Sequence, residues 1–182
     1  MNTNQIQNFI ANKTTLDKFD NQNKPSSVLV IINSCKPKII MIKRSHNLGM
    51  HKGEMAFPGG KYAPYDKNIL DTAIRETKEE LNLTIFKDQI IARLTPVSTS
   101  TGFIIFPFVS IINNIKQLQA NKSEVETVFN IPLFSFLDTI EFQNQSNNSY
   151  IFTHQNNIIW GASARILKQL RDILISNFNC LD

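Results

Sequence analysis

The sequence predicts a single α/β domain in which a mixed β-sheet lies between helices. Its 182 residues suffice for one domain with a hydrophobic core and are too few for two domains of ordinary size. Short runs rich in Ile, Val and Phe alternate with longer segments of helical spacing, and no linker or repeat divides the chain. With 42% hydrophobic and 19% charged residues, the chain has the composition of a globular protein, not of a disordered, collagen-like or disulfide-scaffold chain.

Strands are predicted where β-branched apolar runs lie between turn residues. Residues 27–33 and 38–42 are the first two runs, with the turn residues 34–37 between them. A third, short strand at 55–57 is predicted to end at a turn formed by Pro58, Gly59 and Gly60. The remaining strands are expected at 89–97, 104–112 and 126–131, with core aromatic residues Phe103, Phe106, Phe108 and Phe129.

Helices are predicted where apolar residues recur at intervals of three and four. One helix is expected over 68–83 and a second over 162–178, each with one apolar face. Residues 1–24 are predicted to form a short N-terminal helical extension, and residues 25–182 the domain itself. A homodimer contact or a lid is a conceivable role for the extension.

Composition and charge exclude several classes of function. The first ten residues do not resemble a secretory signal, and no apolar run approaches the roughly 20 residues that cross a bilayer. We therefore expect a cytoplasmic protein with no membrane partner. The two cysteines and three histidines match no zinc spacing. The net charge of +4 comes from dispersed basic residues, which does not indicate a nucleic-acid partner and equally suits an enzyme with phosphorylated substrates.

Three carboxylates cluster on the first predicted helix. Glu76, Glu79 and Glu80 are neighbours at spacings of three and four residues, and we expect them on the face opposite the apolar stripe that includes Thr77. Such a cluster can be an ordinary solvated face, since each like-charge pair costs a helix only about 0.2–0.5 kcal/mol. It also supplies the oxygen ligands that Mg²⁺ prefers. The spacing of these three glutamates is consistent with a solvated helix face and with a metal site.

Two adjacent glycines precede this helix. Gly59 and Gly60 can adopt conformations closed to other residues and allow a ligand to approach the main chain closely. A plain turn is the alternative interpretation.

The segment that follows resembles the Nudix box. The second half of that motif is present as Arg75-Glu76-Thr77-Lys78-Glu79-Glu80-Leu81-Asn82-Leu83. Thr77 stands at a usually apolar position and Asn82 where Gly is usual. Asn is the next choice after Gly for a left-handed helix C-cap. The first half is one residue longer than usual, with Lys67 where the count back from Arg75 would place Glu.

Residues outside the box resemble the coenzyme A pyrophosphatase branch of this superfamily. Before the box the matching elements are Arg44-Ser45, Gly53 and Phe57-Pro58-Gly59-Gly60. Asp66 and Thr72-Ala73 also match, and the resemblance spans roughly residues 25–175. Gly49, where the branch has a basic residue, and Ile42, where it usually has Thr, depart from the pattern.

The resemblance implies a Nudix-like α/β/α sandwich and a pyrophosphatase that hydrolyses coenzyme A or a derivative. It implies Mg²⁺ or Mn²⁺ held by Glu76, Glu79 and Glu80. Arg75 is expected to brace the loop before the helix, because helical geometry directs its neighbour Glu76 elsewhere, or else to pair with Glu79 on the surface. Further roles implied are a catalytic carboxylate at Glu124 and substrate contacts at Arg44, Gly59 and Gly60, with an exposed loop charge and a solvated strand end as the alternatives for Glu124 and Arg44. Glu54, next to Gly53, is a candidate for supporting the metal site. Trp160 is expected to pack in the core ahead of the second helix rather than to stack on a base.

Two other functions remain open from the sequence. A Nudix hydrolase could act on another small-molecule nucleotide, such as ADP-ribose, a dinucleotide or a damaged nucleotide. A Nudix-fold module could instead bind a nucleotide without hydrolysing it. The three clustered glutamates argue against the second, since carboxylates without a metal ion repel phosphate.

Overall fold

The computed structural model describes residues 24–34, 37–46, 51–113, 115, 118–135 and 150–178. Ten strands and two helices lie within these ranges, together with a short 3₁₀ turn at Lys87–Gln89. In chain order they are β1 Lys24–Asn33, β2 Lys38–Arg44, β3 Met55–Ala56, β4 Gly59–Lys61, α1 Ile69–Leu81, β5 Ile90–Arg93, β6 Val97–Ser98, β7 Phe103–Ile112, β8 Val125–Pro132, β9 Phe152–His154, β10 Asn157–Ile159 and α2 Gly161–Phe178.

The main sheet is mixed. Its central path runs β3-β2-β1-β7-β5, and β4 pairs with β1, β6 with β7 and β8 with β2. β1 and β7 are parallel along their whole length, whereas the other pairs are antiparallel. The predicted α/β class with a mixed sheet is confirmed.

The apolar run of β1 is buried on both faces of this sheet. Leu29 and Ile31 pack in the cluster that includes Leu81 of α1, whereas Val30 and Ile32 pack in the cluster formed with α2. Because successive side chains of a strand point to opposite faces, a continuous apolar run is what a strand between two helices requires. The sheet therefore lies between the helices, as predicted.

Both ends of α1 are capped by asparagines. The Asn68 side chain accepts a hydrogen bond of 3.0 Å from the Asp71 backbone N–H. Asn82 adopts the left-handed conformation with φ of 51° and donates its N–H to the Lys78 carbonyl. Asn82 thus fills the C-cap role that Gly usually has, which is the role its position in the motif predicts.

Four expectations are corrected by the structure. Gly59–Lys61 forms strand β4 on β1, not a plain turn, and the strand predicted at 89–97 is divided into β5 and β6. The hairpin of β9 and β10 is missing from the prediction, because each strand has three residues and carries little periodicity. Phe103 and Phe129 are half-buried, whereas Phe106 and Phe108 are buried as expected.

Some predictions fall outside the described residues. These include the N-terminal helix, of which only Lys24 is described, as the first residue of β1, and the residues Cys35, Gly49 and Cys180. The division into an extension at 1–24 and a domain at 25–182 stays a prediction. Neither described helix is long and apolar enough to cross a membrane.

Candidate active site

Helix α1 does not present its three glutamates to solvent together. Glu79 is exposed and Glu76 is mostly buried, while Glu80 is only 1% exposed. The expectation that all three lie opposite the apolar stripe is therefore wrong for Glu80, which is buried on the same helix as Thr77 and Leu81. Strand β4 crosses the end of the helix there, and the Gly59 N–H donates a 2.9 Å hydrogen bond to Glu80 Oε2.

Glu80 is a buried carboxylate with one cation beside it. Arg44 Nη1 at the end of β2 lies 3.3 Å from Glu80 Oε1. Burial raises the pKa of Glu80 to about 8, against the opposing effects of the Gly59 N–H and Arg44, and the nearby Glu76 and Glu124 raise it further. Burial also raises the pKa of Glu76, in spite of Arg75. Because burial makes the charged forms of these two carboxylates unfavourable, a cation bound beside them would stabilise the charged forms.

The two glycines of β4 allow the backbone to approach these carboxylates. A Cβ at Gly60 would lie 2.6 Å from Glu76 Oε2, which is inside van der Waals contact. A Cβ at Gly59 would overlap the Ser27 carbonyl oxygen, and Gly59 has a φ of 149° that favours glycine. Both glycines thus lie close to other parts of the protein, Gly59 to the backbone of β1 and Gly60 to the Glu76 carboxylate, and the approach of a ligand to them stays a prediction.

Arg75 links three carboxylates and the preceding loop. Its guanidinium contacts Asp66 through Nε at 2.9 Å and Nη2 at 3.1 Å, and Nη2 also donates to the Lys61 carbonyl. Nη1 lies 2.9 Å from Glu76 Oε1 and 2.9 Å from Glu79 Oε2. The structure therefore shows Arg75 bracing the loop. The expectation that Glu76 is directed away from Arg75 is wrong, because long side chains at adjacent positions meet here.

Asp66 is the third member of this network beside Arg75 and the helix glutamates. The sequence pattern did not predict a role for it. Besides Arg75 it accepts hydrogen bonds from Thr72 Oγ1 at 2.9 Å and from the Ala63 N–H at 3.1 Å. The Arg75 hydrogen bond is the main cause that lowers the pKa of Asp66 from 3.8 to about 2. The only signal in the sequence was its match to the coenzyme A pyrophosphatase branch.

Glu124 lies in the turn before β8 and is brought to the same cluster by backbone bonds. The Ser45 N–H donates to the Glu124 carbonyl at 2.8 Å, and the Asn121 N–H donates to the Glu80 carbonyl at 2.9 Å. The carboxylate of Glu124 contributes to the raised pKa of Glu76 and Glu80, so its charge acts on both. Glu76, Glu80 and Glu124 thus form one acidic centre, although Glu124 lies far from the other two in the sequence.

The donor chemistry of this centre fits a hard divalent cation. Carboxylate oxygens are what Mg²⁺ and Mn²⁺ prefer, and burial disfavours the charged form of Glu80, which a bound cation would stabilise. In the part of the chain that the structure describes, no three His, Cys, Asp or Glu side chains are already gathered tightly enough to hold a metal ion. The reason is visible in the contacts: Glu76 and Glu79 face Arg75, and Glu80 faces Arg44. A cation held by these carboxylates would compete with the arginine contacts.

A cleft of about 300 Å³ lies on the other side of β4. Gly59, Gly60 and Arg44 line one part of it, and Trp160 and the first turn of α2 line another. Trp160 is 51% exposed, so the expectation that it packs in the core is wrong. Glu54 also lines the cleft but pairs with a neighbour, since its Oε2 lies 3.0 Å from Nδ1 of His51.

The chain belongs to the Nudix family, whose domain matches residues 23–153. It is 35% identical over 159 residues to an uncharacterized Nudix hydrolase NudL from Photorhabdus laumondii, covering 83% of this chain and 84% of that protein. The corresponding NudL from Yersinia enterocolitica is 28% identical over 157 residues, covering 82% and 80%. These relatives confirm the prediction of an enzyme of the hydrolase class, and neither name gives a substrate.

Solved structures agree with the fold. A MutT/nudix family protein from Enterococcus faecalis has a TM-score of 0.60 at 16% identity over 88% of this chain, which spans 65% of that protein. The Nudix domain of Shewanella oneidensis NrtR, complexed with ADP ribose, has a TM-score of 0.59 at 15% identity, covering 86% and 94%. Nudix hydrolases generally use divalent metals such as Mg²⁺ or Mn²⁺.

Proposed function

We propose that this protein is a metal-dependent cytoplasmic pyrophosphatase that hydrolyses the diphosphate bond of coenzyme A or a derivative. The products would be a phosphopantetheine and adenosine 3′,5′-bisphosphate. The observation that carries the proposal is the buried carboxylate of Glu80, held beside Glu76 and Glu124 next to an open cleft.

The catalytic roles follow from the contacts. Glu76, Glu79 and Glu80 would hold Mg²⁺ or Mn²⁺ once they leave their arginine partners. A divalent ion bound there would neutralise charge on the diphosphate and lower the pKa of a bound water. Arg44 and Arg75, released from their carboxylates, would contact phosphate oxygens or keep the loop in place.

Glu124 is the candidate general base. It would accept a proton as a water oxygen forms a bond to one phosphorus of the diphosphate. The bond from that phosphorus to the bridging oxygen breaks, and the bridging oxygen leaves with the other phosphate. Gly59 and Gly60 would allow the substrate to lie against the backbone of β4.

The choice of coenzyme A is supported by where the branch-specific residues lie. The backbone of Arg44 bonds to Gly53 and Glu54, and Ser45 bonds to Glu124. Phe57 lies two residues before β4, and Gly59, the first residue of β4, donates a hydrogen bond to Glu80. The elements before the box therefore form one unit around the acidic centre, which favours a role for them in handling the substrate.

The test is a product assay on purified protein. Coenzyme A, ADP-ribose, NADH and dinucleoside polyphosphates are supplied in parallel with Mg²⁺ or Mn²⁺. We expect metal-dependent cleavage of coenzyme A, and a loss of roughly 10²–10³-fold in kcat for Glu80→Gln. Glu126→Gln is the matched control, because that carboxylate pairs with Lys43 on a neighbouring strand.

Other outcomes would redirect the assignment. Cleavage of a different substrate alone would keep the Nudix chemistry and refute coenzyme A as substrate. ADP-ribose is a specific alternative, because the NrtR Nudix domain of similar fold is complexed with it. If no compound is turned over, a nucleotide-binding module without hydrolysis becomes the better account.

A further inference from the structure

Trp160 is a large aromatic side chain that folding leaves about half exposed. Its neighbours fix this position: Ile159 before it and Ala164 after it are fully buried. Gly161, with a φ of 61°, turns the chain from β10 into α2 between them. Burial of an aromatic ring is among the larger gains in folding, so an indole held at the surface by buried neighbours is available to a ligand.

The indole lines the cleft beside the acidic centre. Among the described residues, the other exposed large apolar side chains do not line this cleft. They are Tyr62, Tyr65, Phe86, Phe134 and Ile158. The cleft has a volume at the lower end of the range typical of small-molecule pockets. Trp160 shares this cleft with Arg44, which contacts Glu80, so a substrate that fills the cleft can contact the indole.

The surroundings of Trp160 match a flat heterocycle with polar edges. Phe57 and Ile105 are apolar residues of the lining, and Thr99 and Thr101, whose hydroxyl groups hydrogen-bond to each other, are polar ones. The first turn of α2 also lines the cleft, and its first backbone N–H groups have no partner within the helix. A purine offers an apolar face to the indole and ring nitrogens that accept hydrogen bonds from such donors.

Basic side chains line the cleft at more than one place, and one of them, Arg165 near the start of α2, donates a hydrogen bond to the Ser98 carbonyl. Arg44 lines the cleft near Glu80, and Lys61 lines it at the end of β4. The Lys61 ammonium lies 5.2 Å from the Phe103 ring centroid, and that of Lys24 lies 5.7 Å from the same ring. A nucleotide in this cleft can lie with its phosphates toward Arg44 and Lys61 and its base toward Trp160.

We propose that Trp160 is a specificity-determining residue that stacks on the nucleobase of the substrate. The proposal rests on the proposed function only in taking the substrate to be a nucleotide. It assigns the Trp160 end of the cleft to the base, and not to the flexible pantetheine arm of coenzyme A, because an arm without π-faces gains no stacking energy from the indole.

The protein has one tryptophan, so its tryptophan fluorescence reports on Trp160 alone. The wild-type protein is titrated without divalent metal, first with adenosine 3′,5′-bisphosphate and then with phosphopantetheine. Absorption by adenine is corrected with free N-acetyltryptophanamide. We expect saturable quenching by the adenosine compound and none by phosphopantetheine.

Calorimetric titration with adenosine 3′,5′-bisphosphate tests the variants. Base stacking of ordinary strength predicts binding roughly 10-fold weaker in Trp160→Ala and nearly unchanged in Trp160→Phe, which keeps an aromatic face. Ile158→Ala is the matched control, since Ile158 is similarly exposed in β10, two residues before Trp160, but does not line the cleft. It should bind like the wild type.

Three results would overturn the proposal: unchanged fluorescence at saturation, quenching by phosphopantetheine alone, or equal affinity of Trp160→Ala and wild type. These results are independent of the hydrolysis assay, because neither ligand contains the diphosphate bond that is cleaved. Quenching without turnover of coenzyme A would support the base subsite while refuting the proposed reaction. Turnover without quenching would do the reverse.

Discussion

Replacing Asp66 by Asn tests whether the Arg75 network stabilises the fold. Asp66 is buried and its pKa is lowered from 3.8 to about 2. A difference of about 1.8 between the pKa values of the unfolded and folded states corresponds to about 2 kcal/mol of stability at pH 7. Because the folded-state pKa is depressed, this stability is present above pH 4 and is lost as the pH falls toward 2. About half of it should be gone near pH 3.

The assay is urea unfolding of wild type, Asp66→Asn and Asp88→Asn between pH 7 and pH 3. Asp88 is exposed in the 3₁₀ turn, so its replacement should change stability by less than about 0.5 kcal/mol. We expect Asp66→Asn to lose about 2 kcal/mol at pH 7 and to approach the wild type at the lower pH. The reasoning is refuted if both variants behave alike at pH 7, or if the gap does not narrow on acidification.

Two further comparisons use neighbouring residues of the same type. Thr77 and Thr72 are both fully buried on α1, but the Thr77 hydroxyl has no hydrogen-bond partner among the described residues whereas that of Thr72 donates to a carboxylate. Measured by thermal unfolding, the free energy of unfolding of Thr77→Val should be unchanged or raised by about 1 kcal/mol. That of Thr72→Val should be lowered by about 1–2 kcal/mol, and equal effects of the two substitutions would contradict this. Gly60→Ala should displace the flexible carboxylate of Glu76, lowering hydrolysis with little loss of stability. Gly59→Ala, which would overlap rigid backbone at a φ of 149°, should unfold the protein at lower urea concentration, and the prediction fails if the two variants share one profile.

Local patterns were sufficient for most of the elements. Helix α1 was predicted to within two residues, because its apolar spacing and its C-cap residue Asn82 are signals contained in the chain itself. The apolar runs of β1, β2, β7 and β8 were recognised for the same reason. The hairpin of β9 and β10 was missed, because its three-residue strands depend on tertiary contacts rather than on periodicity.

The sequence by itself determined the α/β class, the Nudix helix and the three glutamates that define it. Only the tertiary structure decided how each glutamate is used. Burial of Glu80 depends on strand β4 crossing the helix, and β4 is held there by pairing with β1, more than 30 residues earlier. Trp160 is left half exposed although Ile159 and Ala164, close to it in sequence, are fully buried in the core. Periodicity records which face of an element is apolar, but a side chain's exposure depends on what other segments cover it.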